Sequence, residues 1–222
     1  MFWILTLLLH ADEPQLPSTP TEPSTMSIPA APLFQSQIST IPEDVRSLMH
    51  GRTWHEGCPV SLDELSLLNL TYWGEDQQAH EGELIVHQSQ SEAVVRIFQT
   101  LYEQRFPLTS MKLMWHFEGS DDASMKANNT SGFNCRQIKN TQKWSNHSYG
   151  MAIDINPLWN PWVRGEIVDP PEGKPFVDRE QVHPGIIRAG DAVVTAFAKE
   201  GWKWGGYWSK TKDYQHFSAN GR

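Results

Sequence analysis

The chain is poor in the features that would place it in several large classes. It has two cysteines in 222 residues, Cys58 and Cys135, with no C-x-x-C spacing. Two thiols are too few for a structural zinc site built on cysteine. They are either one disulfide, as expected of an exported chain, or two separate buried thiols. The charged residues contain no run of Lys or Arg, and the formal net charge is −8. A nucleic-acid partner is therefore not expected, because the phosphate backbone needs a basic face. The longest apolar run, Phe2–Leu9, is far too short to span a bilayer. No internal repeat is present, so solenoids and arrays are excluded.

What is present suits one domain of ordinary size plus a tail. Apolar residues make up 39% and aromatics 11%, with ten Trp, enough for a packed core. Residues 1–11 carry the short apolar run and a small residue, Ala11, at a position where a signal peptidase cuts. They read as a possible export signal without a basic start. Residues 12–40 are rich in Pro, Ser and Thr and read as a flexible linker. The globular domain is expected over residues 41–222.

Within that domain the elements are mixed. Ser61 with Glu64 three residues on forms a capping-box signature. Strands are expected at Leu68–Trp73, Glu83–Gln88, Met111–Phe117 and Gly132–Ile138. After a second capping pattern at Ser89 and Glu92, apolar residues recur at helical spacing through Val94, Val95, Phe98, Leu101, Tyr102 and Phe106, and Pro107 ends the helix. A short helix is expected after Asp121-Asp122, and another at Asp191–Glu200 with Gly201 as its stop. Leu158–Pro184 has no clear period and reads as a functional loop at the rim of a cleft. The class is α+β, a small, mostly antiparallel sheet with helices packed on one side.

The chemistry centres on S-N-H-S-Y-G-M-A-I-D-I-N-P, Ser145–Pro157. Its alternation sends Met151, Ile153 and Ile155 to one face and Asp154 with small neighbours to the other. A buried carboxylate is costly unless paired or metal-bound. The turn Ser148-Tyr149-Gly150 can fold the His147 imidazole over the same face. Downstream, Asp213-Tyr214-Gln215-His216-Phe217 offers a further imidazole and carboxylate. His147, Asp154 and His216 are thus expected to ligate Zn2+ with an open position for water. Asp213 is the expected general base, unless it only caps or anchors the last strand.

Other candidates have blander readings. His80 and His87 lack a third partner for a metal. Asp121-Asp122 reads as a turn rather than a calcium site.

S-x-H-x-x-G-x-A-x-D followed downstream by D-x-x-H resembles the M15 family of zinc peptidases. The runs Ala123–Met125, Asn128–Arg136, Ile155–Pro157, Lys212–Phe217 and Gly82–His87 resemble its VanY-type branch, so the likeness covers roughly residues 50 to 222. The resemblance implies a fold shared with hedgehog domains and activity on peptidoglycan stem peptides as the partner substrate. It implies a D-alanyl-D-alanine carboxypeptidase or an L-alanyl-D-glutamate endopeptidase. The Asp in D-x-x-H leans to the second, the VanY-type runs to the first. It makes Arg136 the partner of the reaction oxyanion or of a substrate carboxylate; the alternative is a structural salt bridge. Ser131, Gln137 and Ser145 are expected to line the substrate site. An exported, cell-wall-associated, monomeric enzyme follows. The rivals are a hedgehog-like, zinc-containing binding module and a zinc amidase cutting the sugar–peptide link.

Overall fold

A computed structural model describes residues 32–221. The expected export signal and most of the expected linker lie outside the described residues. The elements run β1 (Ser36–Thr40), α1 (Glu43–Met49), β2 (Leu65–Gly74), β3 (Ala79–His87), α2 (Ser91–Glu103), β4 (Pro107–Leu108), β5 (Ser110–Met111), α3 (Asp121–Lys126) and β6 (Asn129–Thr130). They continue with β7 (Ala152–Asp154), β8 (Trp162–Arg164), β9 (Ile167–Asp169), α4 (Ala192–Lys199), β10 (Lys203–Trp204), β11 (Lys212–Asp213) and β12 (His216–Ser218). This is an α+β fold with mostly antiparallel pairing; β2–β4 and β5–β6 are the parallel pairs. Among the described residues no helix is long and apolar enough to cross a membrane.

The linker expectation needs one correction. Its last five residues form β1, which pairs with β2 from Ser36 opposite Leu70 to Thr40 opposite Ser66. Upstream, the Pro32 carbonyl accepts a hydrogen bond from the Tyr102 hydroxyl at 2.6 Å, and Phe34 stacks at a tilt on the same ring. Composition misses this because β1 is largely exposed. Backbone hydrogen bonds hold it, and those carry no apolar signature.

β2 is the central strand, and alternation explains its two buried faces. Leu68 and Leu70, with Leu84 and Val86 of β3, meet the stripe Val94, Ile97, Phe98 and Leu101 of α2. Leu65, Leu67 and Ile85 point the other way, into a second cluster with Met49, Val60, Leu113, Phe133 and Cys135. Both faces of this sheet are therefore covered, where helices on one side were expected. Each fully buried Leu or Phe contributes on the order of 2–3 kcal/mol by removal from water.

The first cluster continues into the C-terminal half. Ile153 and Ile155 join Val193, Phe197, Trp202, Trp204 and Phe217 there. Phe197 and Phe217 stack at 3.8 Å between centroids. α4 is capped as its sequence suggests: the Asp191 carboxylate accepts from the Val194 N–H at 2.9 Å, and Gly201 follows with φ +82°.

Cys58 and Cys135 form a disulfide across a sequence separation of 77. On the chain-entropy account, closing a loop of that length stabilises by roughly 4 kcal/mol.

Two expected strands differ. Met111–Phe117 is a strand only at its start and then a 3-10 turn over Met114–Phe117. Gly132–Ile138 is extended but joins no continuous ladder. Its Phe133 N–H bonds to the Ile85 carbonyl at 2.8 Å and its Cys135 N–H to the Thr53 carbonyl at 2.9 Å. Successive residues thus find different neighbours.

Candidate metal centre

β7 and β12 are direct antiparallel neighbours, with Asp154 opposite His216, Ile153 opposite Phe217 and Ala152 opposite Ser218. The side chains of facing residues lie on one side of the pair. Asp154 and His216 therefore project together away from Ile153 and Phe217, which anchor the other side in the core. The alternation expected for this strand holds.

His147 arrives from the 3-10 turn Asn146–Tyr149, whose cap is the Ser145 hydroxyl accepting from the His147 N–H at 3.3 Å. The turn closes at Gly150 with φ +65°. A Cβ there would lie 2.4 Å from the His87 backbone nitrogen, so both the conformation and the space require glycine.

The three side chains converge. His147 Nε2 lies 3.2 Å from Asp154 Oδ2, and His216 Nδ1 lies 3.0 Å from Asp154 Oδ1. The three ligand atoms are all within 4.8 Å of one another. His147 Nδ1 donates to the Gly132 carbonyl at 2.7 Å, which fixes the tautomer that leaves Nε2 bare toward the centre. Burial by itself would raise the Asp154 carboxyl, but the charges and hydrogen bonds of His147 and His216 outweigh it and hold the carboxyl below the usual carboxylate range. Two imidazoles and one carboxylate, mutually oriented and nearly buried, fit a divalent cation with an open position.

Asp213 sits on β11 at the edge of this group. Its Oδ1 is buried without a hydrogen-bond partner among the described residues. Burial pushes its carboxyl up to about 7; Asp154 adds to the rise, and His216, His147 and Arg136 oppose it. A carboxylate perturbed toward neutrality in a cleft has the character of a proton-transfer group.

The ligands and Asp213 line a cleft of about 1230 Å³. That exceeds the roughly 300–1,000 Å³ typical of small-molecule pockets, so the space suits an extended substrate. Trp162, Arg164, Ile167 and Asp169 from the β8–β9 hairpin wall one part of it, with Trp208 nearby. The segment read as a patternless rim loop thus carries this hairpin, and rim it is.

The remaining expected residues separate. Arg136 lines the cleft and is ion-paired with Asp121. Ser145 also lines it, through the turn it caps. Ser131 is buried behind Asp154, its backbone bonded to that residue's N–H and carbonyl at 2.9 and 3.0 Å. Gln137 is exposed and bridges by backbone to Trp144; neither of these two is among the cleft-lining residues. His80 pairs with Asp76 and His87 with Ser89.

Asp121 is the residue sequence reasoning missed. Burial raises its carboxyl against the pull of Arg136, and the Asn134 amide donates to it at 2.9 Å. Asp169 is likewise raised, by burial and then by Asp122. Neither had a sequence signal, because an ion pair or a shared pocket leaves no local pattern.

Residues 139–219 match a family model described as D-alanyl-D-alanine carboxypeptidase. No curated protein and no solved structure matches the chain. The matched segment holds His147, Asp154, Asp213 and His216, whereas Arg136 and the Asn128–Arg136 run precede it. By that segment and the side chains it brings together, the C-terminal part of the chain is similar to the M15 peptidase family.

Proposed function

We propose that this protein is a zinc-dependent peptidase that hydrolyses peptide bonds in peptidoglycan stem peptides, acting outside the cytoplasm as a monomer. The observation that carries the reading is the meeting of His147, Asp154 and His216 in one cleft beside Asp213, whose Oδ1 has no hydrogen-bond partner among the described residues. His147, Asp154 and His216 would hold the ion, and zinc bound there supplies Lewis acidity at the scissile carbonyl. The residues of the chain do the rest. Asp213 takes a proton from the attacking water and passes it to the leaving amine. Its raised carboxyl suits both halves of that transfer, and a cation beside it favours the charged, accepting form. Arg136 faces the cleft with Asp121 holding its guanidinium in place. It supplies fixed positive charge for the oxyanion. The Gly132 carbonyl keeps the His147 ring oriented.

D-alanyl-D-alanine carboxypeptidase activity is the first reading, in line with the matched family model. L-alanyl-D-glutamate endopeptidase activity is the second. One feature favours it: the base is an Asp in D-x-x-H, as in the endopeptidases that the motif resembles. Mass spectrometry of muropeptides incubated with zinc-loaded protein separates the two. Loss of one alanine from pentapeptides is the expected product of the first; release of the stem beyond its first alanine marks the second. Unchanged muropeptides with zinc bound would defeat both and leave a binding module.

A further inference from the structure

A second group of potential ligands lies away from the candidate centre. His55, Cys58 and Cys135 place one imidazole nitrogen and two sulfurs within 4.8 Å of one another. The sulfurs are joined as the disulfide, and nitrogen atoms of His55 approach both of them. His55 Nδ1 faces the Glu56 carbonyl at 2.8 Å and donates to it. The other ring nitrogen, Nε2, therefore presents its lone pair, and it points at Cys135 Sγ from 3.8 Å. A disulfide sulfur carries no hydrogen, so Nε2 receives nothing from it. The backbone N–H of His55 also points at a sulfur, Cys58 Sγ, at 3.3 Å. An N–H aimed at sulfur and an imidazole anchored through its far nitrogen are the outer contacts that orient metal ligands. Cys135 is buried, Cys58 half-buried and His55 exposed, which shelters one side of the group and leaves the other open to water.

We propose that, once the disulfide is reduced, His55 Nε2, Cys58 Sγ and Cys135 Sγ form a binding site for a thiophilic cation, with water completing the coordination. Two molecules of a small monothiol reduce the bond: the S–S link breaks, each protein sulfur gains a proton, and the reductant leaves as its own disulfide. The cation then displaces both thiol protons to solvent. A cross-link between the Cys58 turn and the Cys135 segment thus survives in either redox environment, covalent in one and coordinate in the other. The matter bears on the cleft because Cys135 is followed directly by Arg136.

The test is a Co2+ titration of the full chain, oxidised and after phosphine reduction without oxygen. Oxidised protein is expected to take one equivalent with no thiolate-to-cobalt charge-transfer band. Reduced protein is expected to take a second equivalent that brings the band. His55→Ala should weaken the second equivalent by more than the roughly 10–100-fold that losing an outer contact costs, and Cys58→Ser, which leaves one thiolate, should weaken binding and lower the intensity of the band. Near-UV circular dichroism of the tryptophans follows the fold throughout. If reduction unfolds the chain, the cation must restore the signal. Folded, reduced protein without the band, unfolded protein that the cation does not rescue, or undiminished binding by His55→Ala would each overturn the proposal.

Discussion

The stretch from β2 through α2 and the stretch from β6 to β12 are built on different physics. In the first, long elements bury apolar side chains at regular spacing: Leu68, Leu70, Leu84 and Val86 against Val94, Ile97, Phe98 and Leu101. In the second the strands are two or three residues long, too short to hold themselves by ladder bonds. Buried asparagines do much of that work. Asn160 accepts from the Ile187 N–H at 2.8 Å and from Arg179, and donates to the carbonyls of Ile155, Asn156 and Gly185. Asn156 donates to the Pro107 carbonyl, Asn128 accepts from the Leu158 N–H, and Asn129 bonds both backbone groups of Lys112. The apolar cluster beneath α2 runs on into Ile153, Ile155, Phe197 and Phe217 of the second stretch, but the asparagine stitching belongs to the second stretch, so the two contributions should be separable by mutation.

The sharpest separation is Asp213→Ala. It should lower peptidase turnover by roughly 10²–10⁴-fold while zinc stoichiometry stays the same. The thermal midpoint should hold or rise, because a buried carboxyl whose Oδ1 finds no hydrogen-bond partner among the described residues is removed. Phe98→Ala attacks the opposite region. It should cost about 3–5 kcal/mol in denaturant unfolding, and turnover per folded molecule, measured well below the transition, should be unchanged. Asn160→Leu tests the polar stitching. Leaving its buried partners unpaired should cost about 1–3 kcal/mol and should also lower activity, as Phe98→Ala does not; equal activity loss in both variants would erase the distinction. The smallest effect is Arg96→Ala. Its ion pair with Glu200, joining α2 to α4 at 2.7 Å, is exposed and screened, so the thermal midpoint should not move beyond scatter.

The same contrast decides what could be read from the chain. α2 was legible because its apolar spacing is both local and strong. The Ser61–Glu64 capping box is present as its sequence implies, with the Ser61 N–H bonding the Glu64 carboxylate at 2.8 Å. The identical signature at Ser89 and Glu92 is not used: the His87 ring accepts from the Ser89 N–H instead, and the helix begins at Ser91. The end of β3 sets that geometry, and a local motif yields to it. At the site, His147, Asp154 and His216 were legible since a lone carboxylate facing away from an apolar strand face demands a partner. Asp121 was not. Its partner Arg136 is distant in the chain, and nothing near either residue announces the pairing. β1 escaped for the complementary reason, being held by main-chain bonds that composition does not encode.

One rung of the small sheet has a further consequence. Asp154 and His216 face each other across β7 and β12, so the polypeptide between them is an excursion that leaves and returns to the same point. Its length does not enter the distance between the two side chains; its flexible turns lengthen at about 0.6 kcal/mol per doubling, whereas α4 and the core residues around it are packed and do not. That excursion carries the β8–β9 hairpin, hence Trp162, Arg164, Ile167 and Asp169 of the cleft wall. The rung fixes Asp154 and His216 whatever lies between them, whereas Asp213 depends on the excursion itself, because β11 pairs with β8 and sets Asp213 opposite Trp162 of the cleft wall.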